Sequence, residues 1–114
     1  MAVEVEVKEY VDGTGASPFE KWFHGLDARS AAKVAAALYR IEQGNFSNVE
    51  GVGAGVFEYK LDFGPGYRVY FGKEGKEVVI LVGGGTKKRQ SQAIKLAQDR
   101  WQDYKQRKRR SEVR

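Results

Sequence analysis

The stretch Val56–Phe71, with the sequence VFEYKLDFGPGYRVYF, constrains the fold more than any other part of the chain. Aromatic and β-branched residues fill two runs, and Gly64-Pro65-Gly66 joins them with residues that favour turns. This pattern predicts a β-hairpin. If the joining segment is a three-residue loop, Asp62 pairs with Arg68, and Lys60 pairs with Tyr70.

The two faces of this hairpin differ in polarity, because side chains alternate between faces along a strand. One face is apolar and is predicted to lie in the core; it carries Phe57, Tyr59, Leu61, Phe63, Tyr67, Val69 and Phe71. The other face carries Glu58, Lys60, Asp62, Arg68 and Tyr70. We expect functional residues on this polar face.

The remaining elements follow from hydrophobic periodicity and from capping residues. We predict a strand over Val3–Tyr10, a helix over Pro18–Leu26 capped by Ser17, a helix over Asp27–Gln43, a loop over Asn45–Gly55, a strand over Glu77–Val82 ended by Gly83-Gly84-Gly85, and a helix reaching about Lys108. The predicted fold class is α+β, in the order β-α-α-β-β-β-α. A helical hairpin and a C-terminal helix cover one face of a small, mainly antiparallel sheet.

Length and composition exclude several classes of protein. A chain of 114 residues has the size of one domain. It has no cysteine and only one histidine, His24, so we expect no disulfide, no metal site and no cofactor. We find no apolar run long enough to span a membrane and no secretory signal pattern at the N-terminus, and we therefore expect a cytoplasmic protein that does not bind membranes.

The net charge of +5 is concentrated at the C-terminus. Residues 105–114 contain six basic residues and one acidic residue, so residues 1–104 are neutral overall. We predict a single domain over 1–104 and a basic tail over 105–114, in which the last helical turns fray. Such a tail could bind RNA or an acidic partner, or it could equally be a solvated end without a partner. Lys105, Arg107 and Lys108 are its candidate RNA contacts.

Cations on the polar face of the hairpin are the main candidates for a functional site. Lys60 and Arg68 share that face, and the cluster Lys87-Lys88-Arg89 follows the next strand. Converging cations suit a phosphodiester backbone, and Tyr70 beside them is placed to stack on an unpaired base. A purely structural alternative remains, in which Arg68 forms a cross-strand ion pair with Asp62 and Lys60 is solvated.

The run EYKLDFGPGYRVYF, followed by a strand and by Gly83-Gly84-Gly85-Thr86-Lys87, resembles the RelE/ParE superfamily of toxins from type II toxin–antitoxin modules. Within it, the chain is similar to the addiction-module killer, or HigB-like, branch. The resemblance extends over roughly the whole chain. It implies the fold given above, with an open concave sheet face, and an endoribonuclease (mRNA interferase) that cuts mRNA in the ribosomal A site by attack of the RNA 2′-hydroxyl, without a metal.

The resemblance also implies roles for individual residues. Arg68 would neutralise charge on the phosphate, Lys60 would hold phosphate and assist deprotonation of the 2′-hydroxyl, and Lys87 or Arg89 would act on the leaving oxygen. Lys88 would contact RNA. The chain departs from the superfamily in one respect: RelE has a catalytic tyrosine in the region of Ala93–Ile94, and this chain has none there, while His24 is poorly placed to substitute.

The implied partners are a cognate antitoxin, in this branch often a helix-turn-helix protein, and mRNA on the ribosome. Operator DNA would be contacted only through the antitoxin. Two alternatives remain open: a ParE-like inhibitor of DNA gyrase, which shares the fold but not the nuclease residues, and a non-catalytic nucleic-acid-binding module.

Overall fold

The computed structural model describes residues 4–112, which form a five-stranded sheet and three α-helices. The elements are β1 (Glu6–Glu9), α1 (Pro18–His24), α2 (Ala28–Glu42), β2 (Val49–Gly53), β3 (Val56–Lys60), β4 (Tyr67–Glu74), β5 (Val78–Thr86), a 3₁₀ turn (Lys87–Arg89) and α3 (Gln90–Glu112). The strand order is β1-β5-β4-β3-β2; β1 runs parallel to β5, and the other pairs are antiparallel. The α+β class is therefore confirmed.

The hairpin of β3 and β4 has the predicted faces but a different register. Lys60 pairs with Arg68, and Glu58 pairs with Tyr70, so the predicted pairs of Asp62 with Arg68 and of Lys60 with Tyr70 are wrong. The Leu61 N–H donates to the Tyr67 carbonyl, which leaves a five-residue loop instead of three. Because the register differs by two residues, every side chain keeps its predicted face.

Glycine-rich segments are where the predicted strands differ from the observed ones. The expected loop over Asn45–Gly55 contains β2, so two strands instead of one lie between α2 and β4, and the sheet has five strands instead of the four in the predicted order. Likewise, β5 continues through Gly83-Gly84-Gly85 to Thr86. At Gly84 a methyl group would overlap the Trp22 ring, so these glycines are explained by close packing on the strand and not by a break in it.

The two N-terminal helices begin as predicted. The Ser17 hydroxyl accepts from the Glu20 N–H at 3.1 Å, and the Asp27 carboxylate accepts from the Ser30 N–H at 2.7 Å. Both caps satisfy donors that the first helical turn leaves free. Helical spacing predicts a core stripe on α2 made of Ala31, Val34, Ala35, Leu38 and Ile41, but Ala35 is exposed. The start of the predicted N-terminal strand, Val3, lies outside the described residues.

Helices cover both faces of the sheet, which corrects the expectation of a single covered face. One core contains Phe19, Val34 and Ile41 of α1 and α2 against Val69 and Phe71. A second core, on the opposite face, contains Ala97 and Trp101 of α3 together with Val56, Tyr70, Ile80 and Val82. The face expected to be open is therefore partly occupied by α3, which brings the N-terminus of that helix close to the polar residues of the hairpin.

The C-terminal helix extends unbroken through the predicted boundary between residues 104 and 105, up to Glu112. Its last turns are fixed to the body: Arg107 pairs with Asp103, whose carboxylate also accepts from the Tyr10 hydroxyl at 2.6 Å, and Lys108 pairs with Glu74. The described part of the tail is therefore helical, and fraying of its last turns stays a prediction. Among the described helices, none has the length and apolarity required to cross a bilayer.

Candidate functional site: a buried arginine beside two exposed lysines

Arg68 lies in the interior of the protein, next to a buried carboxylate. Its side chain is 10% exposed, and that of Glu58 is 1% exposed. The Arg68 Nε lies 3.7 Å from Glu58 Oε1, and its Nη1 donates to the carbonyls of Gly66 and Tyr67, at 3.3 Å each. The Nε atom is buried and has no hydrogen-bond partner in the described structure. Its counterion is therefore Glu58, not the predicted Asp62.

Two further groups hold the Glu58 carboxylate. The Tyr70 hydroxyl donates to Oε2 at 2.9 Å, and the Gln90 amide donates to both oxygens, at 3.1 and 2.9 Å. Burial, and then the Glu58 carboxylate, raise the pKa of Tyr70 well above its usual range. Gln90 is the first residue of α3, so this network connects the arginine of β4 to the start of the C-terminal helix.

The position of Tyr70 corrects one sequence-based expectation. The residue is fully buried, and its ring packs in the core under α3. An enclosed ring offers no face to an RNA base. Tyr70 instead contributes to the site through the hydrogen bond that its hydroxyl donates to Glu58.

Lys60 lies at the surface, directly across the β3–β4 pair from Arg68. Its side chain is about half exposed, and its Nζ lies 3.0 Å from Glu50 Oε2 on β2. Both cations line a cleft of about 410 Å³, whose wall also includes Asn48, Glu50 and Asp62. The cleft therefore combines two cations with two carboxylates, which is a composition suited to a phosphate and a transferable proton.

The basic triplet Lys87-Lys88-Arg89 forms the exposed 3₁₀ turn before α3. The Lys87 N–H donates to the Gly66 carbonyl at 2.9 Å, and this carbonyl also accepts from Arg68 Nη1. The backbone of Lys87 is thus fixed beside the guanidinium of Arg68. The triplet precedes the positive end of a 23-residue helix, which adds to the attraction for anions. An RNA contact by Lys88 or Arg89 stays a prediction.

The other basic candidates lie far along α3 and interact with the body. Arg107 contacts Asp103 and Tyr10, Lys108 contacts Glu74, and the Lys105 Nζ lies 5.8 Å from the Trp101 ring centroid. The Lys108 ammonium, followed by the Tyr104 hydroxyl, lowers the pKa of Glu74. These side chains have structural partners, and their role in binding RNA stays a prediction.

Neither histidine chemistry nor metal chemistry is indicated at the cleft. His24 is exposed on α1 beside Glu20, and it is not among the residues that line the cleft. Within residues 4–112, no group of three or more His, Asp or Glu side chains is arranged to hold a metal ion.

An uncharacterized protein of Haemophilus influenzae is 40% identical over 80 residues, which are 69% of this chain and 81% of that protein. The chain belongs to the same family as this protein. No family model matches the sequence. Among solved structures, the RelBE2 toxin–antitoxin complex from Mycobacterium tuberculosis is similar at 17% identity, over 75% of this chain and all of that one, with a TM-score of 0.49, below the level taken to indicate a shared fold.

Three residues of the cleft and its buried network in this chain were not among the candidates predicted from the sequence. Alternation predicts Glu58 on the polar face, but its position as the counterion of Arg68 depends on the strand register, which the pattern does not give. Glu50 lies in the segment predicted to be a loop, since Gly51 and Gly53 obscure the strand pattern. Gln90 comes from a distant element, and no local pattern in the sequence indicates its contact with Glu58.

Proposed function

We propose that the chain is the toxin of a type II toxin–antitoxin module, an endonuclease that cuts mRNA on the ribosome and is neutralised by a cognate antitoxin. The sequence resemblance supplies the reaction class. The observation that carries the proposal is the location of Arg68 and Lys60 in one cleft, with the backbone of Lys87 bonded to the same carbonyl as Arg68.

Arg68 is the residue best placed to stabilise charge on a phosphate. Its position is fixed by Glu58 and by two carbonyls, so little reorganisation is needed when a phosphate arrives. An arginine in a mostly buried position interacts with charge more strongly than one in bulk water. We assign to Arg68 the neutralisation of negative charge as the 2′-oxygen attacks phosphorus.

The ion pair of Lys60 with Glu50 suggests a division of roles. The Lys60 ammonium donates a hydrogen bond to the Glu50 carboxylate, so in this state Lys60 is not a proton acceptor. We assign the phosphate contact to Lys60 and the acceptance of the 2′-hydroxyl proton to Glu50. An exposed pair of this kind contributes only about 0–1 kcal/mol, so a phosphate can replace the carboxylate as the partner of Lys60.

The leaving 5′-oxygen needs a proton or a positive charge nearby. Lys87 and Arg89 are exposed and lie on the 3₁₀ turn beside the Arg68 loop. We assign this role to Lys87, whose backbone is fixed at Gly66, and a supporting RNA contact to Lys88 and Arg89. The product of attack by the 2′-oxygen would be a 2′,3′-cyclic phosphate and a free 5′-hydroxyl.

The test is expression in a bacterial host, with mapping of new mRNA 5′ ends over the first minutes. Wild type is expected to produce cuts inside translated codons that disappear when translation is blocked. Lys60→Ala, Glu50→Gln and Lys87→Ala are each expected to abolish most of these cuts. Lys95→Ala is the matched control, because Lys95 is an exposed lysine of α3 that pairs with Asp99, outside the cleft.

Other outcomes would decide against the nuclease. Growth arrest with intact mRNA and altered DNA supercoiling would favour a gyrase inhibitor, and cuts of equal frequency in wild type and Lys60→Ala would exclude the assigned site. Co-expression of the neighbouring small gene, expected to encode a helix-turn-helix antitoxin, should restore growth. Operator DNA should then bind only the complex and not this chain alone.

A further inference from the structure

The C-terminal half of β5 forms an open edge of the sheet. The pairing of β5 with β1 ends at Leu81, and the last contact of β1 is the Tyr10 N–H, which donates to the Leu81 carbonyl. Beyond this point β5 continues to Thr86, and among residues 4–112 it pairs there with β4 on one side only. An unpaired strand edge is a template for the addition of another strand.

The backbone groups on this edge can be assigned by alternation, since successive residues direct their N–H and C=O to opposite sides. The Lys87 N–H donates to Gly66, on the β4 side, so Gly85 also faces β4. Gly84 therefore directs its N–H and C=O, and Thr86 its N–H, away from β4, where β1 is no longer paired. The Thr86 carbonyl belongs to the first turn of the 3₁₀ segment that follows. Two residues thus offer hydrogen bonds to an added strand.

The edge lies at the floor of a groove of about 330 Å³ between α1 and α3. Pro18 and Trp22 of α1 form one wall, and Leu96, which is 49% exposed, belongs to the other. The absence of side chains at Gly84 and Gly85 lets the helices approach the strand closely from both faces. The walls suit apolar side chains projecting from an extended peptide.

The charge of the groove indicates which peptide fits. Arg89 and Arg100 line it, and none of its lining residues within the described chain is acidic. Arg100 Nη1 donates to the Val82 carbonyl at 2.9 Å, which holds this guanidinium at the start of the open edge. Burial lowers the pKa of Arg100, and an added carboxylate would compensate for the loss of hydration.

We propose that an acidic, extended peptide segment of a partner protein docks in this groove and adds as a strand to the edge of β5 at Gly84 and Thr86. The backbone supplies the hydrogen bonds, Trp22 and Leu96 supply apolar contacts, and Arg89 and Arg100 select negative charge. The proposal does not depend on the nuclease activity assigned above. Single-stranded RNA would use the arginines but not the strand edge, so it is the competing occupant.

The first measurement is amide hydrogen exchange of the free protein by NMR. Gly83 and Gly85 should exchange slowly, and Gly84 and Thr86 should exchange rapidly. Protection of Gly84 and Thr86 in the free protein would show that the edge is already covered, and would overturn the proposal.

The second measurement is titration of the labelled protein with short capped peptides of alternating valine and glutamate. Saturable shifts are expected at the Gly84 and Thr86 amides and at the Trp22 indole, with new protection of both amides. The same peptide with lysine for glutamate, and one with N-methylated backbone on a single edge, should not bind. No saturable shift, equal binding of the lysine peptide, or competition by a short oligouridine at the same amides would overturn the proposal.

A matched pair of variants separates the groove from general charge effects. Leu96→Glu removes an exposed apolar wall and adds negative charge to the groove, and it should weaken binding of the acidic peptide by about tenfold or more. Gln102→Glu makes the same charge change at an exposed site on the same helix, outside the groove, and should leave the affinity unchanged. Equal effects of the two variants would contradict docking in this groove.

Discussion

Arg68 of β4 and Glu58 of β3 form a buried ion pair in which the arginine Nε lies 3.7 Å from the glutamate Oε1. Both side chains are on the face of the hairpin that α3 covers, and Gln90 of α3 donates to the same carboxylate. A buried pair of this kind is weak evidence for stability, because desolvation offsets the attraction. Its consequence here is positional, since it fixes the guanidinium at the wall of the cleft.

Removal of one partner should therefore destabilise the fold strongly. Glu58→Ala leaves a buried positive charge without a counterion, and we expect a loss of about 3–5 kcal/mol in the free energy of unfolding. Arg68→Ala should have a similar cost, so loss of toxicity in that variant alone does not identify a catalytic role. Urea denaturation followed by circular dichroism measures both effects.

A double-mutant cycle tests whether the two costs have one origin. Glu58→Leu combined with Arg68→Leu should be less destabilising than the sum of the single variants by at least about 1 kcal/mol, because no charge is left unpaired. Additive effects would show that the two residues act on stability independently. Tyr70→Phe serves as a milder probe, since it removes one hydrogen bond to Glu58 and keeps the ring.

Gly72 leaves room for the indole ring of Trp101, which packs on the face of the sheet opposite to Trp22. A methyl group at this position would overlap the indole ring of Trp101. We expect Gly72→Ala to destabilise the protein by about 1–3 kcal/mol through overpacking. Gly13→Ala is the control, because in the described part of the chain no heavy atom other than those of residues 12–14 lies within 4 Å of the added carbon. Equal thermal midpoints for both variants would contradict this explanation.

Much of the architecture could be predicted from the sequence. The faces of the hairpin follow from alternation alone, and a register error of two residues leaves them unchanged. Ser17 and Asp27 identify the starts of both N-terminal helices, because their side chains accept the N–H groups that the local chain leaves free.

The glycine-rich strands could not be predicted by the same reasoning. Gly51 and Gly53 in β2, and Gly83 to Gly85 in β5, carry the composition of loops, yet they lie in the sheet. For β5 the reason is tertiary: Trp22, Ala93 and Arg100 approach the strand more closely than a side chain there would allow. That information lies in other elements and not in the local pattern.

The candidate site also has one part that the sequence predicts and one part that it does not. Lys60, Arg68 and Lys87 are located around one end of the hairpin, as the pattern predicts. The contact of Gln90 with Glu58 and the burial of Tyr70 depend on α3 crossing the face that was expected to be open. Local periodicity establishes which residues share a face of a strand, but not which helix covers that face.

Lys60→Ala should leave the stability nearly unchanged. The pair of Lys60 with Glu50 is about half exposed on both sides, and such pairs contribute about 0–1 kcal/mol. We expect a midpoint in urea close to that of wild type, in contrast to Glu58→Ala. A stable but inactive Lys60→Ala protein would assign the lost activity to chemistry, whereas a shift as large as that of Glu58→Ala would show that Lys60 also has a structural role.

Acid should detach the end of α3 before the rest of the protein unfolds. Hydrogen bonds from Arg107 and then Tyr10 lower the pKa of Asp103, and Lys108 does the same for Glu74. A carboxyl whose pKa is lower in the folded state stabilises the fold above its unfolded pKa, about 3.9 for Asp and 4.3 for Glu. That contribution is lost as the pH falls through the folded pKa.

We therefore expect the NMR secondary shifts of residues 105–112 to lose helical character as the pH falls below about 4, while those of β4 and β5 stay native. The double variant Asp103→Asn, Glu74→Gln should have a loosened helix end already at neutral pH and should show no further change in acid. Asp99→Asn, at an exposed ion pair with Lys95 on the same helix, should keep the wild-type response. Loss of helix and sheet signals in a single step would contradict this view, because it would mean that the two carboxylates stabilise the whole fold and not the attachment of the helix end.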